Sequence, residues 1–135
     1  MTYGAPRDSA DVPAYLARVR GREPTPELAA EMTRRYRLIG GSPLVRITIA
    51  QARALERELG VDYVVRAAMR FSEPSIDRVV AELAPAVDEV VGVVLSPQWS
   101  DRLMAGYERA LRDAAMRAAP ATRVHMVRDW HAEPR

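Results

Sequence analysis

Residues 89–96 read EVVGVVLS, from Glu89 to Ser96, an apolar run of strand length with polar groups only at its ends. A strand that shows polar side chains to neither side must be covered on both faces, as interior strands of parallel sheets are. Its neighbours fit that position. On one side SIDRVVAELAPA (75–86) has helical spacing, with Ser75 as N-cap and a stop near Pro85. On the other, SDRLMAGYERALRDAAMRAA (100–119) reads as a long amphipathic helix with Ser100 or Asp101 at its N-cap. RVHMVRDW (123–130) is a last strand, and YVVRAAMRF (63–71) is an earlier one by its β-branched and aromatic content.

Before these, MTYGAP (1–6) has the form of a strand tail running into a turn, and three helices follow. The first lies in SADVPAYLARVR, with Ser9 or Asp11 as N-cap and Tyr15, Leu16 and Val19 at helical spacing. The second is PELAAEMTRRYRLIG, capped by Thr25 with Pro26 at its first position and Leu28, Met32, Tyr36 and Ile39 on one face. The third follows GGSPL, carries Ile47, Ala50, Ala54, Leu55 and Leu59, and stops at Gly60. The order predicts one α/β domain over residues 1–135: a doubly wound, flavodoxin-like parallel sheet of about four strands with helices on both faces.

Composition narrows the function. With 48% hydrophobic and 28% charged residues, the balance is that of a soluble globular domain. No apolar run approaches the ~20 residues of a membrane span, and no secretory leader is recognisable, so a cytoplasmic location is the expectation. There is no cysteine, hence no disulfide and no thiolate metal site. All 20 basic residues are arginine, but 18 acidic residues are interspersed and the net charge is only +2, so nucleic acid is not an expected partner.

The four predicted strands are followed by YGAP, FSEPS, SPQWS and DWHAEP, each with a proline. In an open parallel sheet such loops gather at the carboxyl edge, where ligands bind. No G-x-G-x-x-G, P-loop or nucleophile-elbow motif is present; GGSPL joins two helices, not a strand to a helix. His125, inside a strand, reads as a packed or satisfied side chain; His131 sits in an edge loop. What remains is a set of tyrosines (Tyr3, Tyr36, Tyr107), Trp99, Trp130 and arginines near loop ends. That set suits a flat apolar ligand with carboxylates at its rim.

MTYGAP, VRGREPTPE, RRYRLIGGSPLVRITIAQARALE, AAMRFSEPSIDRVVAEL, VVLSPQWS and GYERAL together resemble, in order, the ferrochelatase family, above all the coproporphyrin ferrochelatases of Gram-positive bacteria. The resemblance covers the first of that family's two similar halves. It implies insertion of ferrous iron into a porphyrin in haem biosynthesis, coproporphyrin III or else protoporphyrin IX, with iron as substrate and no organic cofactor. By this likeness Tyr3 is the axial oxygen ligand of the iron product and faces the metal. Arg20 pairs with a propionate, with Arg18 or Arg22 as alternatives because the loop is one residue short. Arg35 and Tyr36 line the macrocycle, Ser42 approaches its edge from the GGSPL loop, and Tyr107 is a further porphyrin contact. Phe71, Gln98 and Trp99 occupy loop positions near the cleft. The likeness also implies that the family's catalytic histidine and glutamate lie beyond Arg135. It leaves open a self-sufficient half that works as a homodimer, and a non-catalytic haem- or porphyrin-binding module.

Overall fold

The computed structural model describes residues 1–133. Pro134, the proline expected to fix the last loop, lies outside them. The chain divides into two compact units: Met1–Thr2, Arg66–Arg70 and Pro74 onward form one, Tyr3–Val65 and Phe71–Glu73 the other.

The first unit is built around the opening stretch. Strand β1 (Glu89–Val93) pairs in parallel with β2 (Arg123–Val127), Val91 opposite His125. On the other side of β1 lies the chain start. Met1 donates its nitrogen to Val93 O, and Leu95 N donates to Met1 O at 2.9 Å. Beyond that, Thr2 N donates to Ala68 O (3.1 Å) and Arg70 N to Thr2 O (2.9 Å). The four segments therefore run side by side in the order 66–70, 1–2, 89–95, 123–127, the order of a flavodoxin-like sheet.

The expectation of about four strands needs correcting. Among the described residues only β1 and β2 form a ladder; Thr2 and Met69 make isolated parallel bridges. The pairing stops at a turn. After Thr2 the chain soon reaches Gly4, whose φ of 92° turns it out of the sheet, so the bridge between Thr2 and Met69 is not extended past that point. In YVVRAAMRF the buried part is Ala67–Met69, while Tyr63 and Val64 stay exposed and outside any strand.

Helix α4 (Ile76–Leu83) begins where Ser75 Oγ accepts from Arg78 N and runs into a single 3-10 turn, Ala84–Ala86, at Pro85. Helix α5 (Asp101–Ala118) packs with it over one face of the sheet; on the other face Val91 of β1 is exposed, so within this unit the expected cover on both faces is present on one. Ile76, Val79, Val80, Val94, Met104, Tyr107 and Leu111 form the core. Gly92 lets α5 come close: a Cβ there would overlap Leu111 Cδ2 and crowd Met1 Cε and Met126 Sδ. Leu103 and Met116 of α5 are exposed.

The second unit is helical. Helix α1 (Val12–Arg20) buries Val12, Tyr15 and Leu16 and ends at Gly21, φ 67°. Asp11 stands at its N-cap position but its carboxylate accepts from Arg7 N and Arg18 Nη2 instead of capping the helix. Helix α2 (Pro26–Leu38) is capped by Thr25 Oγ1, as its sequence predicts. It ends on two positive-φ glycines: Gly40 N donates to Arg37 O and Gly41 N to Tyr36 O, a Schellman-type closure. Helix α3 (Leu44–Leu59) buries only Thr48, whose hydroxyl donates to Leu44 O; Ile47, Leu55 and Leu59 of its expected inner face are partly exposed.

Candidate functional site

In the helical unit the site starts at Tyr3. Its ring lies against Phe71, centroids 4.6 Å apart and planes tilted by 59°. Both loops that carry these rings are tied down. Phe71 N donates to Tyr3 O (3.0 Å), Ala5 N to Ser72 Oγ (3.1 Å), and the buried Tyr15 hydroxyl to Gly4 O (3.0 Å). Arg18 completes the frame, its Nε donating to Phe71 O at 2.8 Å while Nη2 holds Asp11. Tyr3 remains 42% exposed, and among the described residues nothing bonds its hydroxyl. A phenol held in place by its ring and unclaimed at its oxygen is what a hard cation or an oxygen-seeking ligand requires.

Of the arginines proposed for a propionate, Arg18 is therefore already engaged by a backbone carbonyl and a carboxylate. Arg20, at the end of α1, is exposed, and among the described residues neither it nor Arg22 has a side-chain hydrogen bond or ion pair. Arg35 and Tyr36 are consecutive on the last turns of α2. Arg35 is exposed and Nε donates to Glu31 Oε1 at 2.7 Å; Tyr36 is half-buried, and desolvation pushes its phenol up from the usual value. Ser42 follows the glycine pair and its Oγ accepts from Leu44 N at 3.3 Å, bracing the start of α3. Both glycines have open space where a Cβ would stand, so it is their positive φ, not a close neighbour in the chain, that calls for glycine. Tyr3, Arg20, Arg35, Tyr36 and Ser42 thus belong to one unit, and among the described residues no side-chain hydrogen bond or ion pair joins them to one another.

Tyr107 belongs to the sheet unit and is only 4% exposed. Its ring is part of the core and is roofed by Arg70, whose guanidinium carbon stands 5.2 Å from the ring centroid. Arg70 Nη1 donates to Leu103 O at 3.0 Å, and Gly106 leaves the room: a Cβ there would overlap the guanidinium.

The loops after β1 and β2 are also stitched together. Asp129 accepts from Trp99 N (2.7 Å), Pro97 O from Trp130 N and His131 N (3.1 Å each), and Val94 O from Trp130 Nε1 (2.9 Å). Trp99 Nε1 donates to Asp101 at 2.6 Å, and Arg128 lies over its ring at 5.2 Å. Arg128 in turn shares Glu108 with Arg112, which together hold that carboxyl below its usual range, Arg112 most. Gln98 is exposed. His125 is satisfied and not packed: it is exposed on β2 with its Nε2 3.2 Å from Glu89 Oε1; His131 Nδ1 is 3.9 Å from Asp129. A shallow hollow of about 200 Å³ beside β2, lined by Arg112, Met116, Pro120 and Val124 among others, contains none of the predicted site residues. Phe71 as the partner of Tyr3, Arg70, Gly106 and Glu31 were not predicted in these roles. An aromatic at the end of the MRF run is the single sequence signal that points to any of them.

Comparison with known proteins agrees with the sequence resemblance. The family model described as Ferrochelatase matches residues 1–135. The chain is 33% identical over 143 aligned residues to Coproporphyrin III ferrochelatase 1 of a Bacillus cereus strain. It is 32% identical over 144 to the Coproporphyrin III ferrochelatase of a Geobacillus species, and 33% over 143 to that of Listeria monocytogenes serotype 4b. Each alignment takes in 100% of this chain and 46% of the relative, so the chain spans about half the length of the proteins it matches, their N-terminal half. Among the described residues no helix is long and apolar enough to cross a membrane. The chain belongs to the ferrochelatase family.

Proposed function

We propose that this chain forms the porphyrin-binding half of a ferrochelatase-type metal chelatase, with ferrous iron and a carboxylate-bearing porphyrin as substrates. Coproporphyrin III is the favoured porphyrin, from the names of the relatives. The observation that carries the reading is Tyr3: an exposed phenol whose ring is fixed against Phe71 and whose oxygen has no partner among the described residues. As phenolate it is a hard oxygen donor suited to iron at the centre of a macrocycle. Arg20 and Arg35 offer planar forks that match peripheral carboxylates two-pronged. Ser42 and Tyr36 belong to the same unit. Tyr107, roofed by Arg70, contributes in this reading by supporting the Arg70 guanidinium and not as an exposed ring.

Metal insertion needs the flat macrocycle bent so that pyrrole lone pairs open to the metal, and the binding energy of the rim is what opposes the ring's planarity. These residues bind and orient; the base that takes two pyrrole protons is not among them. Ferric haem titrated into the protein tests the tyrosine directly. The wild type is expected to give the charge-transfer absorption of a tyrosinate-ligated haem, and Tyr3→Phe to bind with that band lost. Identical spectra for the two proteins would remove Tyr3 from the metal. Haem affinity without iron insertion would favour a non-catalytic binding module over a chelatase.

A further inference from the structure

Arg34 and Arg35 stand side by side near the end of α2, and one carboxylate, Glu31, holds both. It holds them differently. Arg34 is gripped along its side, Nε to Oε2 at 3.0 Å and Nη2 to Oε1 at 3.1 Å, the two-pronged arrangement that occupies a guanidinium's own fork. Arg35 is touched at one point, Nε to Oε1 at 2.7 Å. Its terminal Nη1 and Nη2, the end-on fork, have no partner among the described residues. Glu31 also stays ionised through the neutral range: the two arginines hold its carboxyl down to about 2.

We infer that Glu31 is the positioning residue of the porphyrin-rim site, fixing the Arg35 side chain by its Nε so that the Nη1/Nη2 fork stands ready for a carboxylate of the ligand, while committing Arg34 elsewhere. The inference rests on the reading of this chain as a porphyrin binder, and it adds the element that decides which of two adjacent arginines is used. The physical gain is in order, not in contact. A free arginine loses much rotamer freedom when it grips a ligand, and an arginine already held loses less.

The test is a thermodynamic cycle on the full 135-residue chain, with coproporphyrin III titrated by its Soret absorbance into wild type, Glu31→Ala, Arg35→Ala and the double variant. Glu31→Ala is expected to weaken binding on the order of three- to tenfold, the range for one ordered side chain. In the Arg35→Ala background the same change is expected to do nothing. Glu31→Gln, which keeps an oxygen for Nε, is expected to recover part of the loss. A loss from some general loosening of α2 would persist without Arg35, and would overturn the inference. So would unchanged or tighter binding by Glu31→Ala while the wild type binds, and in either case the porphyrin reading stands. If the wild type gives no Soret change, both fall together.

Discussion

Gly92 and Gly106 both lack a side chain inside regular structure, yet a methyl group would meet different things at each. At Gly92 it would press on Leu111, Met1 and Met126, atoms of a closed core between sheet and helix. Gly92→Ala is therefore expected to destabilise by about 1–3 kcal/mol, the usual range for overpacking, seen as a lower denaturant midpoint with unchanged slope. At Gly106 the methyl would meet only the far end of Arg70, which can swing away. There the better helix propensity of alanine, worth about 1 kcal/mol, offsets the lost contact with Tyr107. Gly106→Ala is expected to leave the midpoint within about 1 kcal/mol of wild type while the Tyr107 fluorescence changes. Equal losses for the two variants would contradict this packing account. Neither glycine could be told apart in the sequence, because what separates them is the residue that arrives from another segment. Glu31 was hidden for a related reason. On a string of letters its spacing to Arg35 is that of Glu82 and Arg78, or Glu108 and Arg112, and only the bond pattern shows that Arg35 keeps its fork free.

Among the elements, the helices were legible and the strands only partly so. Thr25 and Ser75 cap α2 and α4 as their sequence positions predict, because capping is a contact between residues three apart. The end of α2 was equally visible in the glycine pair. Gly41 has a φ of 86° with open space around it, so the penalty for a side chain there is backbone strain alone. Gly41→Ala is expected to cost about 1–2 kcal/mol in urea unfolding; no change would mean the turn relaxes to negative φ. By contrast YVVRAAMRF has the composition of a strand throughout, and its pairing with Thr2 goes no further because the partner turns away at Gly4. β-propensity reports a surface that can be paired, not one that is. The inner face expected of α3 is a similar case, since periodicity marks an apolar stripe but Thr48 alone is buried.

For the molecule as a whole, the order of its four extended segments and the family were both readable from blocks of sequence, since each block brings local structure and ligand chemistry together. The state of each site residue was not. Tyr3 and Tyr107 are the same residue type in equally recognisable motifs, yet one is open and unclaimed at its oxygen while the other is roofed by a guanidinium inside a core. Arg18 and Arg20 are two apart on α1, and one is already engaged. In the proposed function, arginines of the helical unit grip the carboxylate arms of the porphyrin. The most direct measurement is an equilibrium titration of the 135-residue chain with coproporphyrin III and, in parallel, with its tetramethyl ester in matched detergent. The prediction is a saturable Soret shift for the acid in the micromolar range, weakened by added salt and by Arg35→Ala, with much poorer binding of the ester. Equal binding of acid and ester, indifferent to salt and to Arg35, would contradict it.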